Sequence, residues 1–304
     1  MKILCTGDLH IKATAPHNRI DDYYQTQLSK LKWIFDLAEK ENCEAILQPG
    51  DFCDSPDLPN HVVKDIISLA YHCESYLLSV FGQHDKKYRN NDNTVLSVLE
   101  EAEAVYPLKD TPFRFSNNVE IYGASWEEEV PKVQDTKAIN ILVLHKMIIA
   151  NEPLWPGQTD YVKADTFLKT YKNYDLIISG DNHQSFIRLA SNKGNCPILI
   201  NCGSLMRMTT TQQNHRPCVW IYNSETKKAK RYFIPIQPSE EVFSPEAEET
   251  KERNLEMEAF IEKLATGDKE VTLSFEDNLN VLMDKKVESQ VKELANGFLE
   301  RYYQ

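Results

Sequence analysis

Carboxylate, amide and imidazole side chains follow several short apolar segments of the sequence. Asp51 comes just after the apolar run 45–47 and the chain-breaking pair Pro49-Gly50. We therefore expect Asp51 at the end of a buried strand that opens into a loop. Because an aspartate has two oxygens, it can bind two cations at once. Asp51 is thus a candidate bridge between two metal ions, provided that other ligands meet it.

Four other apolar segments end in residues of the same kind. They are followed by Gly7-Asp8-Leu9-His10, Gly82-Gln83-His84-Asp85, His145 and Gly180-Asp181-Asn182-His183. In two of these groups an aspartate and a histidine stand two residues apart, so in an extended chain they point the same way. A single Gly-Asp pair is usually a turn. Five such groups in series predict one shared site, because ligands of open α/β sheets bind at the carboxyl ends of strands.

The spacing of apolar residues predicts the elements that would position these groups. Helical spacing covers 21–40, 60–73, 92–103 and 164–171, and the first eighty residues alternate between strand and helix. That alternation indicates parallel βαβ units. Later short strands, separated by turn residues, indicate mixed or antiparallel pairing. We expect an α/β (α+β) fold, in which two sheets of mixed strands pack face to face as a sandwich flanked by helices.

A change of composition near residue 236 predicts a domain boundary. Prolines at 235, 238 and 245 indicate a linker, and helical spacing returns over 246–265 and 287–303. We therefore predict a catalytic domain at 1–236, followed by a linker and helical C-terminal segment at 237–304. Two interpretations of that segment stay open: helices packed on the body, and a docking segment for a partner protein.

Charge and cysteine usage limit the class of protein. The net charge is −12, and residues 240–304, with 17 acidic and 8 basic residues, account for −9 of it. The body is thus nearly neutral and has no basic stripe, so bound cations would have to attract a phosphate-bearing substrate.

No apolar run is long enough to span a membrane. Seven scattered cysteines without a CxxC pair indicate reduced thiols in a cytoplasmic protein and argue against a cysteine zinc site.

The five groups, in their order and spacing from residue 1 to about 236, resemble the signature blocks of the calcineurin-like metallophosphoesterases. Within that superfamily, the opening MKILCTGDLH, the short first loop, the Gly203-Ser204 turn and the helical tail are most similar to the SbcD-type DNA repair exonucleases. Those nucleases work beside a coiled-coil ATPase. The resemblance thus implies DNA as substrate and an SbcC-type ATPase partner at the C-terminal helices. A homodimer stays open.

The resemblance also implies two divalent metal ions and a role for each residue of the site. It places Asp8, His10 and His183 on one ion and Gln83, His145 and Asp181 on the other, with Asp51 between the two ions. It also implies two catalytic residues: His84, which would face the substrate, and Asp85, which would orient the loop that carries His84.

Two of these positions depart from the family pattern, which usually has Asn at position 83 and His at position 181. An anionic oxygen at Asp181 favours harder cations, Mn²⁺ or Mg²⁺, over zinc. We expect Mn²⁺, with other divalent ions left open. Either the two changes compensate each other in an active site of altered selectivity, or this ion binds weakly and activity has declined. We favour the first, because all seven ligand positions still hold groups able to bind a metal.

Three functions follow, in order of preference. The first is a metal-dependent phosphodiesterase acting on DNA as an exonuclease or endonuclease subunit. The second is a phosphomonoesterase, or a phosphodiesterase of small nucleotides or phosphoproteins. The third is a non-catalytic scaffold. Lys86, Lys87, Arg89 and Arg207 are candidate phosphate contacts, although a solvated surface charge is the commoner state of such residues. The connection 146–162 is a candidate cover for the site.

Overall fold

The computed structural model describes residues 1–87, 91–116, 118–154, 158–190, 197–209 and 212–244. The two helices expected in the C-terminal segment, and the middle of the connection 146–162, lie outside these ranges. The domain boundary after residue 236 accordingly stays a prediction. Within the described ranges, no helix is long and apolar enough to cross a membrane.

One six-stranded sheet carries the first three predicted strand ends. In spatial order its strands within the described chain are β14 (Lys228–Phe233), β13 (Cys218–Asn223), β1 (Lys2–Cys5), β2 (Ala45–Gln48), β3 (Tyr76–Ser79) and β4 (Tyr106–Pro107). Strands β1 to β4 run parallel, whereas β13 and β14 are added antiparallel. The parallel βαβ units predicted for the first eighty residues are therefore confirmed.

A second six-stranded sheet carries the other two strand ends. Its strands within the described chain are, in spatial order, β11 (Phe186–Leu189), β12 (Ile198–Asn201), β10 (Leu176–Gly180), β7 (Ile139–His145), β6 (Val119–Ala124) and β5 (Phe113–Phe115). The four inner strands are parallel and the two edge strands are antiparallel. Two short strands that the sequence did not predict, β8 (Ile148–Ile149) and β9 (Val162–Lys163), pair within the connection after β7.

Helices flank this pair of sheets. The described helices are α1 (Tyr23–Lys40), α2 (Asn60–Tyr71), α3 (Val95–Glu101), α4 (Ala164–Thr170) and α5 (Ser239–Val242). The first three share a hydrophobic cluster with one face of the first sheet, and α4 shares another with the second sheet. Helix α1 starts where the Asp22 side chain accepts a hydrogen bond from the backbone N–H of Gln25. The predicted α/β sandwich of mixed strands is thus confirmed.

The main core lies between the sheets and follows from alternation along each strand. In β1, Ile3 and Cys5 belong to the central cluster, whereas Leu4 belongs to the cluster under the helices. In β7, Val143 is in the central cluster and Leu142 packs under α4. Both faces of these central strands are therefore buried, which explains why the strands are almost continuously apolar.

Helix α5 lies in the stretch that the prolines mark as a linker. Pro238 precedes its first residue, and Val242 and Phe243 are buried. A β-bridge joins Arg19 to Phe243. The two apolar side chains explain the difference from the sequence interpretation, because their burial holds this stretch against the loop before α1.

We expect Ile178→Ala to test the central core. Ile178 is fully buried in β10 between the sheets, and truncating such a side chain costs about 2–5 kcal/mol of unfolding free energy. Denaturant titration measures the loss. The matched control is Ile20→Ala, because the Ile20 side chain is 57% exposed. An equal effect of the two changes would contradict this account of the core.

Candidate metal centre

Asp51 occupies the middle of the site. Its side chain is 1% exposed, and Oδ1 accepts a hydrogen bond from the backbone N–H of His84 at 2.9 Å. The other oxygen, Oδ2, lies 3.5 Å from His10 Nε2 and 3.4 Å from His145 Nε2. One carboxylate oxygen thus faces an imidazole from each sheet, which is the position expected of a ligand shared by two cations.

His145 is oriented by the backbone of the neighbouring sheet. Its Nδ1 lies 2.7 Å from the carbonyl oxygen of Pro49. A carbonyl only accepts, so Nδ1 carries the proton and Nε2 is left for Asp51 or a metal ion. Burial lowers the pKa of His145, but the Asp51 carboxylate 3.4 Å away outweighs burial and raises it to about 10. Positive charge at Nε2 is therefore favoured.

Asp8, His10 and His183 form a second group of potential ligands, within 4.8 Å of one another. His10 Nε2 and His183 Nε2 are 3.1 Å apart, and His183 Nε2 lies 3.5 Å from Asp8 Oδ2. The pKa of Asp8 is raised to about 7, because burial and the charges of Asp51 and Asp181 outweigh the lowering effect of His145 and His10. A divalent ion here would offset both the burial and the repulsion between carboxylates.

The two residues that depart from the family pattern contact each other. Gln83 Nε2 donates to Asp181 Oδ1 at 3.2 Å. Because a carboxylate accepts hydrogen bonds, the amide nitrogen of Gln83 must face it. Gln83 Oε1 is then the other end of the amide, buried and without a hydrogen-bond partner in the part of the chain that the structure describes. The longer side chain thus reaches Asp181 and still presents an oxygen to the site.

Asp54, which the sequence analysis missed, belongs to this site. Its Oδ1 lies 3.4 Å from His10 Nδ1, and its backbone oxygen lies 3.1 Å from His84 Nδ1. His10, Asp54 and His84 form a further group with metal-ligand geometry. A carboxylate behind Nδ1 directs the Nε2 of His10 into the site. The only available signal was an acidic residue three positions after Asp51 in the same loop.

His84 and Asp85 differ sharply in their surroundings. His84 is exposed, and its Nδ1 lies 3.1 Å from the Asp54 carbonyl oxygen, which leaves Nε2 for another partner. Asp85 is buried and accepts backbone hydrogen bonds from Phe52, Cys53 and Gly82 at 2.9–3.2 Å. Burial and the charge of Asp51 raise the pKa of Asp85 to about 6. Asp85 thus holds two loops together, whereas His84 is placed to meet a substrate.

Backbone geometry at the strand ends is unusual. His10, Asp51 and Asp181 have positive φ angles of 44°, 51° and 77°, a region that non-glycine residues seldom adopt and that functional sites often contain. The loops also approach closely, since a Cβ on Gly82 would lie 2.1 Å from Asp51 Oδ1. Glycine at position 82 is therefore required for this arrangement.

The donor set fits a pair of divalent ions. Several inward-facing ligand atoms are buried and lack a hydrogen-bond partner among the described residues, namely Asp8 Oδ1, Asp51 Oδ2, Gln83 Oε1 and His145 Nε2. Buried polar atoms normally have partners, and oxygen and imidazole donors suit such cations. All seven predicted ligands come together at this rim. Their role as ligands stays a prediction.

Three of the basic residues suggested as phosphate contacts have other partners or lie in another part of the structure. Lys86 Nζ donates to the carbonyl oxygen of Trp126, and Lys87 Nζ pairs with Asp57 at 2.8 Å. Arg207 is buried in a different cavity from the metal centre. Arg89 lies outside the described residues, as do three residues of the candidate cover, 155–157.

The sequence model of the calcineurin-like phosphoesterases matches residues 1–185. The chain belongs to this family, whose members hydrolyse phosphoesters with a pair of divalent metal ions. No curated protein matches the chain. Among solved structures, the crystal structure of TT1561 of Thermus thermophilus has a TM-score of 0.46 at 12% identity, over 77% of this chain and 99% of its own. A second crystal structure has a TM-score of 0.48 at the same identity and coverage.

We expect Gln83 and Asp181 to be energetically coupled. Gln83→Asn shortens the side chain and withdraws its amide from Asp181, whereas Asp181→His removes the carboxylate that accepts the hydrogen bond of Gln83. Each single change is therefore expected to weaken Mn²⁺ binding by about tenfold or more. The double variant restores the usual family pair and is expected to lose less than the sum of the two losses. Calorimetric titration with Mn²⁺ and Zn²⁺ measures this cycle, and the double variant is expected to shift toward Zn²⁺.

The control for this cycle is Gln25→Asn, an exposed amide on α1. It is expected to leave Mn²⁺ binding unchanged and to combine additively with Asp181→His. Strict additivity of Gln83→Asn and Asp181→His would show that their contact carries no energy.

Proposed function

We propose that this chain is a metal-dependent DNA nuclease of the SbcD type, which uses the centre around Asp51 to hydrolyse phosphodiester bonds. The observation that carries this proposal is the position of Asp51 Oδ2 between the Nε2 atoms of His10 and His145. Two divalent ions, when bound at such a centre, stabilise charge on the phosphoryl group and activate a water molecule as nucleophile.

The chain's own residues orient that chemistry. The carboxylate of Asp54 directs His10, the Pro49 carbonyl directs His145, and Asp85 fixes the loop that carries His84. His84 Nε2 is free to contact an oxygen of the scissile phosphate. As a hydrogen-bond donor to the leaving oxygen, it would assist departure of the alcohol as a general acid.

A polymer substrate is supported by the exposed rim and by the turn after β12. His84 is exposed and His183 is partly exposed, so the centre lies at the surface, where a strand of DNA could reach it. The Gly203-Ser204 turn, one of the features that resemble SbcD-type nucleases, supports the site directly. Ser204 donates its N–H to the His183 carbonyl and forms a β-bridge with Asp8.

Mn²⁺ is the metal that we propose for this centre. The oxygen donors of Asp8, Asp51, Asp181 and Gln83 together with three imidazoles form a harder ligand set than the usual family pattern. We further propose that the acidic segment after residue 244 docks a coiled-coil ATPase, because its charge and helical spacing set it apart from the nearly neutral body.

We expect the purified full-length chain to cleave linear DNA in the presence of Mn²⁺. The assay compares single- and double-stranded DNA with a chromogenic phosphodiester and a chromogenic phosphomonoester, and uses Asp51→Asn as the blank. The blank should lose activity because it removes the shared anionic oxygen. Cleavage of the small esters alone would support the second function, for which the near-neutral body argues. If no substrate is cleaved although both ions are bound, the non-catalytic scaffold is the only one of the three functions that remains.

We expect His84→Ala to retain both metal ions and to lose turnover by about 10²–10⁴-fold, the usual contribution of a general acid. Elemental analysis and DNA cleavage on the same preparation measure the two effects. His61→Ala, an exposed histidine on α2, is the matched control and should behave like the unchanged chain. Loss of metal in step with activity would make His84 a ligand instead.

A further inference from the structure

A second cavity, of about 550 Å³, lies between the start of α1 and the segment that leads into α5. None of the residues assigned to the metal centre lines it. Three cations do: Arg19, Lys30 and Arg207, with exposures of 8%, 7% and 3%. Buried cations normally face an anion or a carboxylate, since a buried unpaired charge is costly.

The carboxylates of the cavity leave two of these cations without a direct ion pair. Arg19 is paired with Asp21 through two contacts of 2.7 Å. Asp22 lies at the exposed rim, where it caps α1. No carboxylate among the described residues lies within 4 Å of Lys30 or Arg207. The buried lining thus has an excess of two positive charges.

Both cations keep hydrogen-bond donors for a ligand. Lys30 Nζ donates to the carbonyl oxygen of Leu205 at 3.0 Å, so two of its three N–H groups are not used by the described residues. The two terminal nitrogens of Arg207 donate to the oxygens of Gln213, Gln237 and Ser239. Its Nε and one remaining N–H are left over. The two cations together therefore keep four N–H groups that can donate to an oxyanion.

Part of the remaining lining is apolar and aromatic, beside the polar side chains of Gln25, Thr26, Ser29 and Gln237. Trp33 on α1 and Pro235, Ile236 and Val242 on the opposite side border the cavity. A flat ring could pack on this wall, as bases pack on aromatic side chains. The volume falls within the range of small-molecule sites and exceeds what a bare ion needs.

We propose that this cavity binds a nucleoside monophosphate, with its dianionic phosphate between Lys30 and Arg207 and its base against Trp33. The ligand supplies two negative charges to match the excess of two positive charges. Burial and the neighbouring Arg19 and Arg207 lower the pKa of Lys30 to about 7, which agrees with a cation that lacks its counter-charge. This proposal does not depend on the nuclease function.

The test uses the full chain in the Asp51→Asn form in metal-free buffer at pH 6.5, so that the metal centre does not bind phosphate. Circular dichroism first establishes that this form has the same fold as the unchanged chain. Calorimetry compares adenosine 5′-monophosphate, adenosine and inorganic phosphate. We expect one site per chain for the monophosphate, with adenosine and inorganic phosphate each at least tenfold weaker. The absence of monophosphate binding, or equal binding of adenosine, would overturn the proposal.

Substitutions in the lining test whether the monophosphate binds in this cavity. Lys30→Met and Arg207→Gln are each expected to weaken binding at least tenfold. Lys32→Met, which removes an exposed lysine on the same helix, should have no effect. Unchanged binding in Lys30→Met and Arg207→Gln would overturn the proposal.

If Lys30→Met and Arg207→Gln fail to fold, Ser29→Glu replaces them as the test of this site, because Ser29 is an exposed residue of the lining. The added carboxylate should weaken monophosphate binding, whereas Ser29→Gln, of the same size, should not. Equal binding by these two variants would place the ligand elsewhere and reject this site.

Discussion

A carboxylate oxygen that faces two imidazole nitrogens inside the protein is the constraint on which the rest of the structure depends. Asp51 Oδ2 is buried and lies 3.4–3.5 Å from the Nε2 atoms of His10 and His145. A buried carboxylate between two imidazoles is stable only when positive charge, from a proton or a bound cation, lies between them. The surrounding backbone, with the Pro49 carbonyl behind His145 and the three N–H groups around Asp85, prevents these groups from turning away. Stability and reactivity therefore depend on the same positive charge.

Much of this arrangement could be predicted, because short stretches of sequence determine it. Apolar runs that end in glycine and a polar ligand locate the strand ends, and alternation of strand with helix makes the first strands parallel. Together these signals place Asp8, Asp51 and His145 at one rim. The left-handed backbone of Asp51 could not be predicted, because distant loops impose it: its carbonyl accepts the N–H groups of Leu9 and His10, and Gly82 packs against it.

The features that sequence reasoning missed all depend on contacts between distant residues. Gln83 and Asp181 are 98 positions apart, so nothing local shows that they touch. Arg207 was a candidate contact for the substrate phosphate, yet pairing of the loop after β12 with Asp8 turns its side chain to the other side, toward α1. In the stretch that the prolines mark as a linker, a boundary that stays a prediction, Val242 and Phe243 are buried. Local composition does not report on such packing.

The division of the ligands between the two sheets has a mechanical consequence. Asp8, His10 and Asp51 follow strands of the first sheet, whereas His145, Asp181 and His183 follow strands of the second. If ions occupy this predicted site, they join the two sheets across the seam of the sandwich, in addition to the apolar layer beneath. Removing such ions with a chelator would leave the opposed carboxylates to repel each other at the same seam. The supply of divalent ions would then set the resistance of the folded chain to opening at this rim, and with it the access of proteases to the loops there.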